Sequence, residues 1–362
     1  MRRHRRPGRH VLHVVHKLGD GGADRTLTRL ARTGLPGVRQ TIYVLDGAGP
    51  GYGPLPPSVR VIAGPGLAAP LSGHVARIAG QVTGVDVVHG WVSSASLVAA
   101  TYAAAIGAPL VLRQPTNIER ERAETVGAHG RDTSPLGLAF RQAARVVLPS
   151  PALVDGTRRV YGVGDVTVIP NAAEGSPCQW HPHRAPGPFR VVFAGRLVAQ
   201  KRPSLLVHAL ATLDASIDWR LQVFGDGPLS SEVEAAAAAA GVSHRVTLAG
   251  FSPAWIDAAV HGDVFALPTR YEGMCNTLVE AAAAGVPIVT TDIPENRYIF
   301  HPERDALLVP PDDVPALGAA VARLATDRAL AARLGRAARG VVDRFPLAHM
   351  VLAYEHLYAA VA

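Results

Sequence analysis

The sequence predicts an α/β protein built from two parallel-sheet domains. Three observations carry this. Short β-type apolar runs alternate with helical patterns, and the alternation occurs twice along the chain. At 362 residues the chain is too long for one ordinary core. Between the halves lies 171–188, a stretch rich in Pro, Gly and His with no periodicity, which reads as a linker.

In the first half the strand-like runs are 10–16, 40–45, 59–63, 85–89, 109–113, 145–148 and 166–169. In the second they are 189–194, 219–224, 245–248, 263–267, 286–290 and 306–309. Each stretch between them can hold a helix, such as 231–240, which Gly241 stops. The polar stretch 115–134, with Glu119, Arg120, Glu121, Arg122 and Arg131, has no core pattern and is long for a loop. It reads either as disorder or as a substrate-facing loop. Beyond Pro310 the pattern is helical to the end. The expected domains are 1–170, with 1–9 disordered, then the linker 171–188, a second domain 189–343, and a final helix over 344–362.

Composition excludes several classes. No apolar run reaches the roughly 18 residues that would span a bilayer, and the basic start is followed by no apolar signal segment, so a cytoplasmic protein is expected. Cys178 and Cys275 are too few for a disulfide framework and read as free thiols. The net charge of +7 is spread along the chain with aromatics at only 6%, so no nucleic-acid partner is expected. The concentrated part is Arg2, Arg3, Arg5, Arg6 and Arg9, whose attraction to an anionic membrane surface is a secondary expectation.

Lysine is nearly absent, with two against 34 Arg, yet one of the two is Lys201, where a compact ammonium is wanted rather than a guanidinium. Gly195 ends a strand, and Arg196 and Lys201 follow before the helix that Pro203 opens. Two cations therefore sit at the carboxyl edge of a parallel sheet, where open α/β sheets bind ligands. Farther on, Gly273 permits close backbone approach, and 276–284 should form a helix whose free N–H groups face the same edge. Two cations and a helix N-terminus suit a diphosphate. Glu272 and Glu280 lie eight residues apart, roughly 12 Å along a helix, whereas a glycosidase acid pair sits about 5–9.5 Å apart. That spacing disfavours a hydrolase and suits two anchors on one long ligand.

The segments Gly195-Arg196…Lys201-Arg202-Pro203, Phe224-Gly-Asp-Gly-Pro228, Val246-Thr-Leu-Ala-Gly-Phe251, Tyr271-Glu-Gly…Glu280-Ala-Ala-Ala-Ala-Gly-Val-Pro287 and Asp343-Arg-Phe345 resemble glycosyltransferase family 4. In the first half, Leu18-Gly-Asp-Gly-Gly-Ala-Asp-Arg25 is similar to that family's glycine-rich loop, and Asp86-Val-Val-His-Gly-Trp91 with Val111-Leu-Arg-Gln114 to its acceptor-side strands. The resemblance implies the GT-B fold, two Rossmann-like domains facing a central cleft, with the acceptor domain first and the last helix crossing back. It implies a retaining transferase using a nucleotide-diphosphate sugar, with a UDP-sugar as the expected donor. No cofactor or metal is implied, and no Asp-x-Asp pattern occurs.

On the same resemblance Arg196 and Lys201 hold the diphosphate, Glu280 the ribose, and Glu272 a hydroxyl of the donor sugar. Gly273, Met274, Cys275, Asn276 and Thr277 complete the donor site, the base lies near Phe251, and Gly21 and Gly22 contribute from the first loop. His89, Trp91, Arg113 and Gln114 fall on the acceptor side, with His89 also a candidate catalytic group. A His on an apolar strand end reads equally well as a structural hydrogen-bonding residue. The family often carries a second His where Trp91 stands, Cys275 stands where Pro is common, and Asp24 replaces the usual Glu. The acceptor is left open: a sugar, a lipid-linked precursor of a surface polysaccharide or glycolipid, or a small molecule of secondary metabolism.

Two other readings remain. Gly19-Asp-Gly21-Gly22 after a strand, with Asp46 ending the next, imitates a dinucleotide fingerprint of an NAD-dependent oxidoreductase but has Asp24 where the third Gly belongs. A non-catalytic glycosyltransferase-like partner protein should have lost Arg196, Lys201 or Glu280, and all are present. His181-Pro-His183 in the linker reads as surface rather than as a metal site.

Overall fold

The structure, a computed structural model, describes residues 8–19, 21–47, 53–181 and 187–362. The arginines at 2–6, Asp20 of the glycine-rich loop and His183 lie outside the described residues. Seven strands come from the first half: β1 (Arg9–Val15), β2 (Val38–Val44), β3 (Arg60–Ala63), β4 (Val87–Gly90), β5 (Leu110–Arg113), β6 (Arg145–Leu148) and β7 (Val166–Val168). Six come from the second: β8 (Phe189–Ala194), β9 (Trp219–Phe224), β10 (Val246–Gly250), β11 (Val264–Leu267), β12 (Ile288–Thr291) and β13 (Leu307–Val309). All thirteen fall on the expected apolar runs. Arg9, expected in a disordered start, opens β1.

Each half makes one parallel sheet, ordered β3-β2-β1-β4-β5-β6-β7 in the first and β10-β9-β8-β11-β12-β13 in the second. Strands buried on both faces read as continuous apolar runs, as in β11, where every side chain is fully buried. In both sheets the first strand pairs with strands on either side of it, so the order reverses between β1 and β4 and again between β8 and β11. Open α/β sheets bind ligands beyond the carboxyl ends of the strands at such a reversal.

The chain divides into two compact units, residues 1–171 with 347–362, and residues 172–346. The helix Leu347–Val361 belongs to the first unit because its buried stripe, Met350, Val351, Tyr354, Leu357 and Tyr358, repeats at helical spacing. The described part of the stretch expected as a linker, 172–181 and 187–188, belongs to the second unit. Trp180 is buried, its ring N–H donates to the Gly262 carbonyl at 2.9 Å, and Ala173 pairs with Pro346.

The polar stretch 115–134 is also corrected, since it contains a helix, Ile118–Val126. Asn117 caps it by accepting from the Arg120 N–H at 3.2 Å, Ile118 supplies its buried contact, and Glu119 pairs with Arg159 at 2.8 Å. Capping and an ion pair hold a helix whose apolar periodicity is too weak to announce it.

Candidate active site

Three loops meet at the carboxyl edge of the second sheet, and glycine makes their approach possible. Gly195 follows β8 and its N–H donates to the Phe224 carbonyl at 3.0 Å, while Leu197 donates to Asp226 at 2.9 Å. A Cβ at Gly225 would come inside 3.0 Å of the Gly195 carbonyl, and one at Gly227 inside 3.0 Å of the Leu197 carbonyl. Gly225 also holds φ +127°, a backbone region that only glycine adopts without strain. The third loop joins through Gly225, which donates to the Gly250 carbonyl at 2.8 Å, and through the Asp226 carboxylate, which accepts from the Phe251 N–H at 3.2 Å. Phe251 is left 45% exposed beside this junction, and Arg196 is exposed between its tethered neighbours.

On the other side of β8, the turn Ala199–Lys201 passes through Arg202 into the helix Pro203–Ala211. It is fastened to the loop after β11: the Gln200 carbonyl accepts from the Arg270 N–H at 2.8 Å and from the Thr269 hydroxyl at 3.1 Å. The Gln200 amide donates to the Tyr271 carbonyl at 2.6 Å. Lys201 and Glu272 then form an ion pair, with side chains only 14% and 7% exposed, and the Cys275 sulfur lies 3.7 Å from the Lys201 Nζ. Burial opposes the lysine's charge, but Cys275 and Glu272 beside it hold the ammonium above the ordinary lysine value. Burial and the Glu272 charge push the Cys275 thiol up, so it stays protonated at neutral pH.

The helix Asn276–Ala283 begins directly after Cys275, which places its N-terminus at this edge. Gly273, Met274, Cys275 and Asn276 are buried around its start, with Thr277 half-buried and its hydroxyl 3.3 Å from the Cys275 sulfur. Glu280 is half-buried on the same helix. Arg196, Lys201, Phe251, Glu272 and the 273–277 segment are thus gathered by consecutive loops of one sheet edge. Lys201 is less accessible than a residue lining an open cleft.

Gly21 and Gly22 lie at the carboxyl end of β1 in the other unit, opening the helix Gly22–Thr33. The Gly21 N–H donates to the Asp24 carboxylate at 3.1 Å, so Asp24 folds back on the loop where the dinucleotide pattern wants a bare glycine.

The residues expected on the acceptor side, His89, Trp91, Arg113 and Gln114, are all interior, none more than 1% exposed. The His89 ring stacks on Trp91 at 4.6 Å, its Nδ1 lies 2.7 Å from the Tyr358 hydroxyl, and the Trp91 ring N–H donates to His13 at 3.1 Å. Arg113 donates to the Tyr354 hydroxyl and, at 2.7 Å, to Asn171, while Gln114 accepts from Tyr161 at 3.3 Å. These side chains form a buried polar and aromatic layer that fastens the C-terminal helix to the first unit. Burial holds the His89 imidazole well below its ordinary value, with His13 and Arg113 adding to the effect, so it is neutral at physiological pH. Tyr354 and Tyr358, spaced for one helix face, were the signal that sequence reading left unused.

Residues 188–327 match the family model described as glycosyl transferases group 1. Among curated proteins, an exopolysaccharide phosphotransferase of Streptomyces coelicolor is 34% identical, over 53% of this chain and 20% of its own length. The 2-deoxystreptamine glucosyltransferase of Streptomyces kanamyceticus is 30% identical over 55% of this chain and 54% of its own. The chain therefore spans between a fifth and about half of the length of these relatives. Among solved structures, Anabaena HepE in complex with UDP and glucose superposes with a TM-score of 0.77 at 17% identity, covering 97% of this chain and 99% of that one. That likeness identifies the fold as GT-B.

Proposed function

We propose, from the premise that residues 188–327 are a group 1 glycosyltransferase domain, that this chain moves a sugar from a nucleotide diphosphate to an acceptor hydroxyl with retention of anomeric configuration. The observation that carries the reading is Lys201: its ammonium is held by Glu272 beside the N-terminus of the helix Asn276–Ala283, with Arg196 exposed on the same edge. These groups are preorganised for negative charge growing on a departing diphosphate, which stabilises the transition state without reorganisation. Arg196 and Lys201 take the diphosphate, Glu280 the ribose, Glu272 a donor-sugar hydroxyl, and Phe251 one face of the base. The leaving phosphate oxygen can accept the acceptor's proton, so the reaction needs no protein base, in keeping with the interior position of His89. Two cations and a helix N-terminus already offset the diphosphate charge, so the reaction runs without a metal.

A UDP-sugar is the preferred donor, in line with the UDP and glucose of the Anabaena relative. The names of the curated relatives favour surface polysaccharide or aminoglycoside-type glycoside assembly. The NAD-dependent reading loses ground to Asp24 and to the family match. Among the described residues no helix is long and apolar enough to cross a membrane. Contact of the arginines at 2–6 with an anionic membrane is part of the proposal. It is dropped if the full chain fails to sediment with phosphatidylglycerol vesicles at low salt.

The test is transfer from a panel of α-linked UDP- and GDP-sugars to simple sugar and aminocyclitol acceptors, with the product's anomeric configuration read by NMR. An α-linked product is expected; a β-linked product overturns the retaining mechanism, and no nucleotide release from any donor overturns the transferase reading.

A further inference from the structure

The site edge carries two residues in the left-handed backbone region that are not glycine and that contact each other. Arg202 has φ +52° and Asp312 φ +60°, and the Arg202 Nε donates to Asp312 at 2.7 Å. Asp312 also accepts from the Arg270 Nε, at 3.1 Å to one oxygen and 3.3 Å to the other. One carboxylate thus joins three loops: Arg202 follows Lys201 directly, Arg270 stands two residues before Glu272, and Asp312 lies beyond β13, just before the helix Val314–Thr326. All three side chains are at least a quarter exposed, so burial does not force the arrangement.

Backbone strain at non-glycine residues persists only where surrounding contacts over-determine it, and such residues cluster at functional sites. The ring of Pro203 disfavours the right-handed helical region for Arg202. At Asp312 no proline follows, and a glycine would hold the same turn without steric strain. The side chain at 312 is therefore what the position uses.

We infer that Asp312 is a positioning residue: its ion pairs with Arg202 and Arg270 clamp the Lys201 turn against the Glu272 loop and so fix the Lys201 ammonium where the donor diphosphate binds. The clamp itself stands on the geometry. Only the identity of what Lys201 meets rests on the proposed function.

The chain offers a direct readout, because its only lysines are Lys17 and Lys201. Lys17 is exposed and serves as the internal reference. Acetylation by N-hydroxysuccinimidyl acetate, followed by mass spectrometry, gives the ratio of labelling rates at the two sites. In the parent, Lys201 should label at least about tenfold more slowly than Lys17. Asp312→Gly removes the carboxylate at a backbone conformation that suits glycine, so the fold should be retained, with a melting temperature within a few degrees of the parent's. The inference expects the Lys201/Lys17 ratio to rise at least about threefold, UDP affinity to fall by a similar factor, and Asp312→Asn to lie between. An unchanged ratio in a folded Asp312→Gly or Asp312→Asn protein overturns the clamp, whether or not UDP binds. A raised ratio in a protein whose parent binds neither UDP nor GDP keeps the clamp and removes the donor-site reading instead.

Discussion

His13 has no exposed surface, and burial holds its imidazole down to about 3. Its folded value lies below the unfolded value near 6.5, so between these limits the unfolded chain binds a proton that the folded chain refuses. Stability is then fully present above about pH 6.5 and is lost as the pH falls toward 3, by up to about 1.4 kcal/mol per pH unit. His89, displaced in the same direction, adds to the slope. His13→Gln keeps an acceptor for the Trp91 N–H and should flatten the fall in melting temperature between pH 6.5 and 4.5; an unchanged slope would refute the buried neutral imidazole. The gathering of Arg196, Lys201, Glu272 and Glu280 along one sheet edge was legible, because strand ends and helix starts are local and these residues flank them. The burial of His89, Trp91, Arg113 and Gln114 was not. His89 and Arg113 also stand at strand ends, but what covers them is Tyr354 and Tyr358, more than two hundred residues later in the chain.

The loop after β9 carries Gly225 and Gly227. Its glycines are where the site's frame would fail first, since Gly225 combines φ +127° with a neighbouring carbonyl in the place a Cβ would take. Gly225→Ala should cost at least about 2 kcal/mol, from strain and overpacking together, read as a lower denaturant midpoint. An unchanged midpoint would mean the Gly195 and Phe224 loops are not locked as described. The strands were legible because runs such as 191–194 and 264–267 are buried on both faces of a parallel sheet and carry their signal in every residue, while 219–224 shows it by alternation, with Arg220 and Gln222 half-buried between buried neighbours. The helix Ile118–Val126 was missed because its signal is a cap, Asn117, with Glu119 and Glu121 in its first turn. The clamp of Arg202, Arg270 and Asp312 was invisible for another reason: its members come from three loops whose meeting depends on the strand order.

For the whole molecule, two sheets of the same winding each place their order reversal, and hence their site edge, at the first strand. That repetition was readable from the doubled β-α alternation. The burial of Trp180 was not, because it is the lone aromatic residue in a stretch of linker composition, and its position depends on Gly262 and Ala284 far along the chain. The central claim is that the second unit's sheet edge binds and activates a nucleotide-diphosphate sugar. Lys201→Ala tests it poorly, since it strands the buried Glu272 carboxylate, and removing one partner of such a pair costs roughly 3–5 kcal/mol of stability by itself. Arg196 is exposed and can be removed without that complication. The most direct measurement is the turnover of Arg196→Ala, at saturating concentration of whichever UDP- or GDP-sugar the parent consumes, alongside its melting temperature. The account predicts a loss of about 10²–10³ in turnover, the scale of one preorganised charge-stabilising group, at unchanged melting temperature. Turnover within a few-fold of the parent would contradict it.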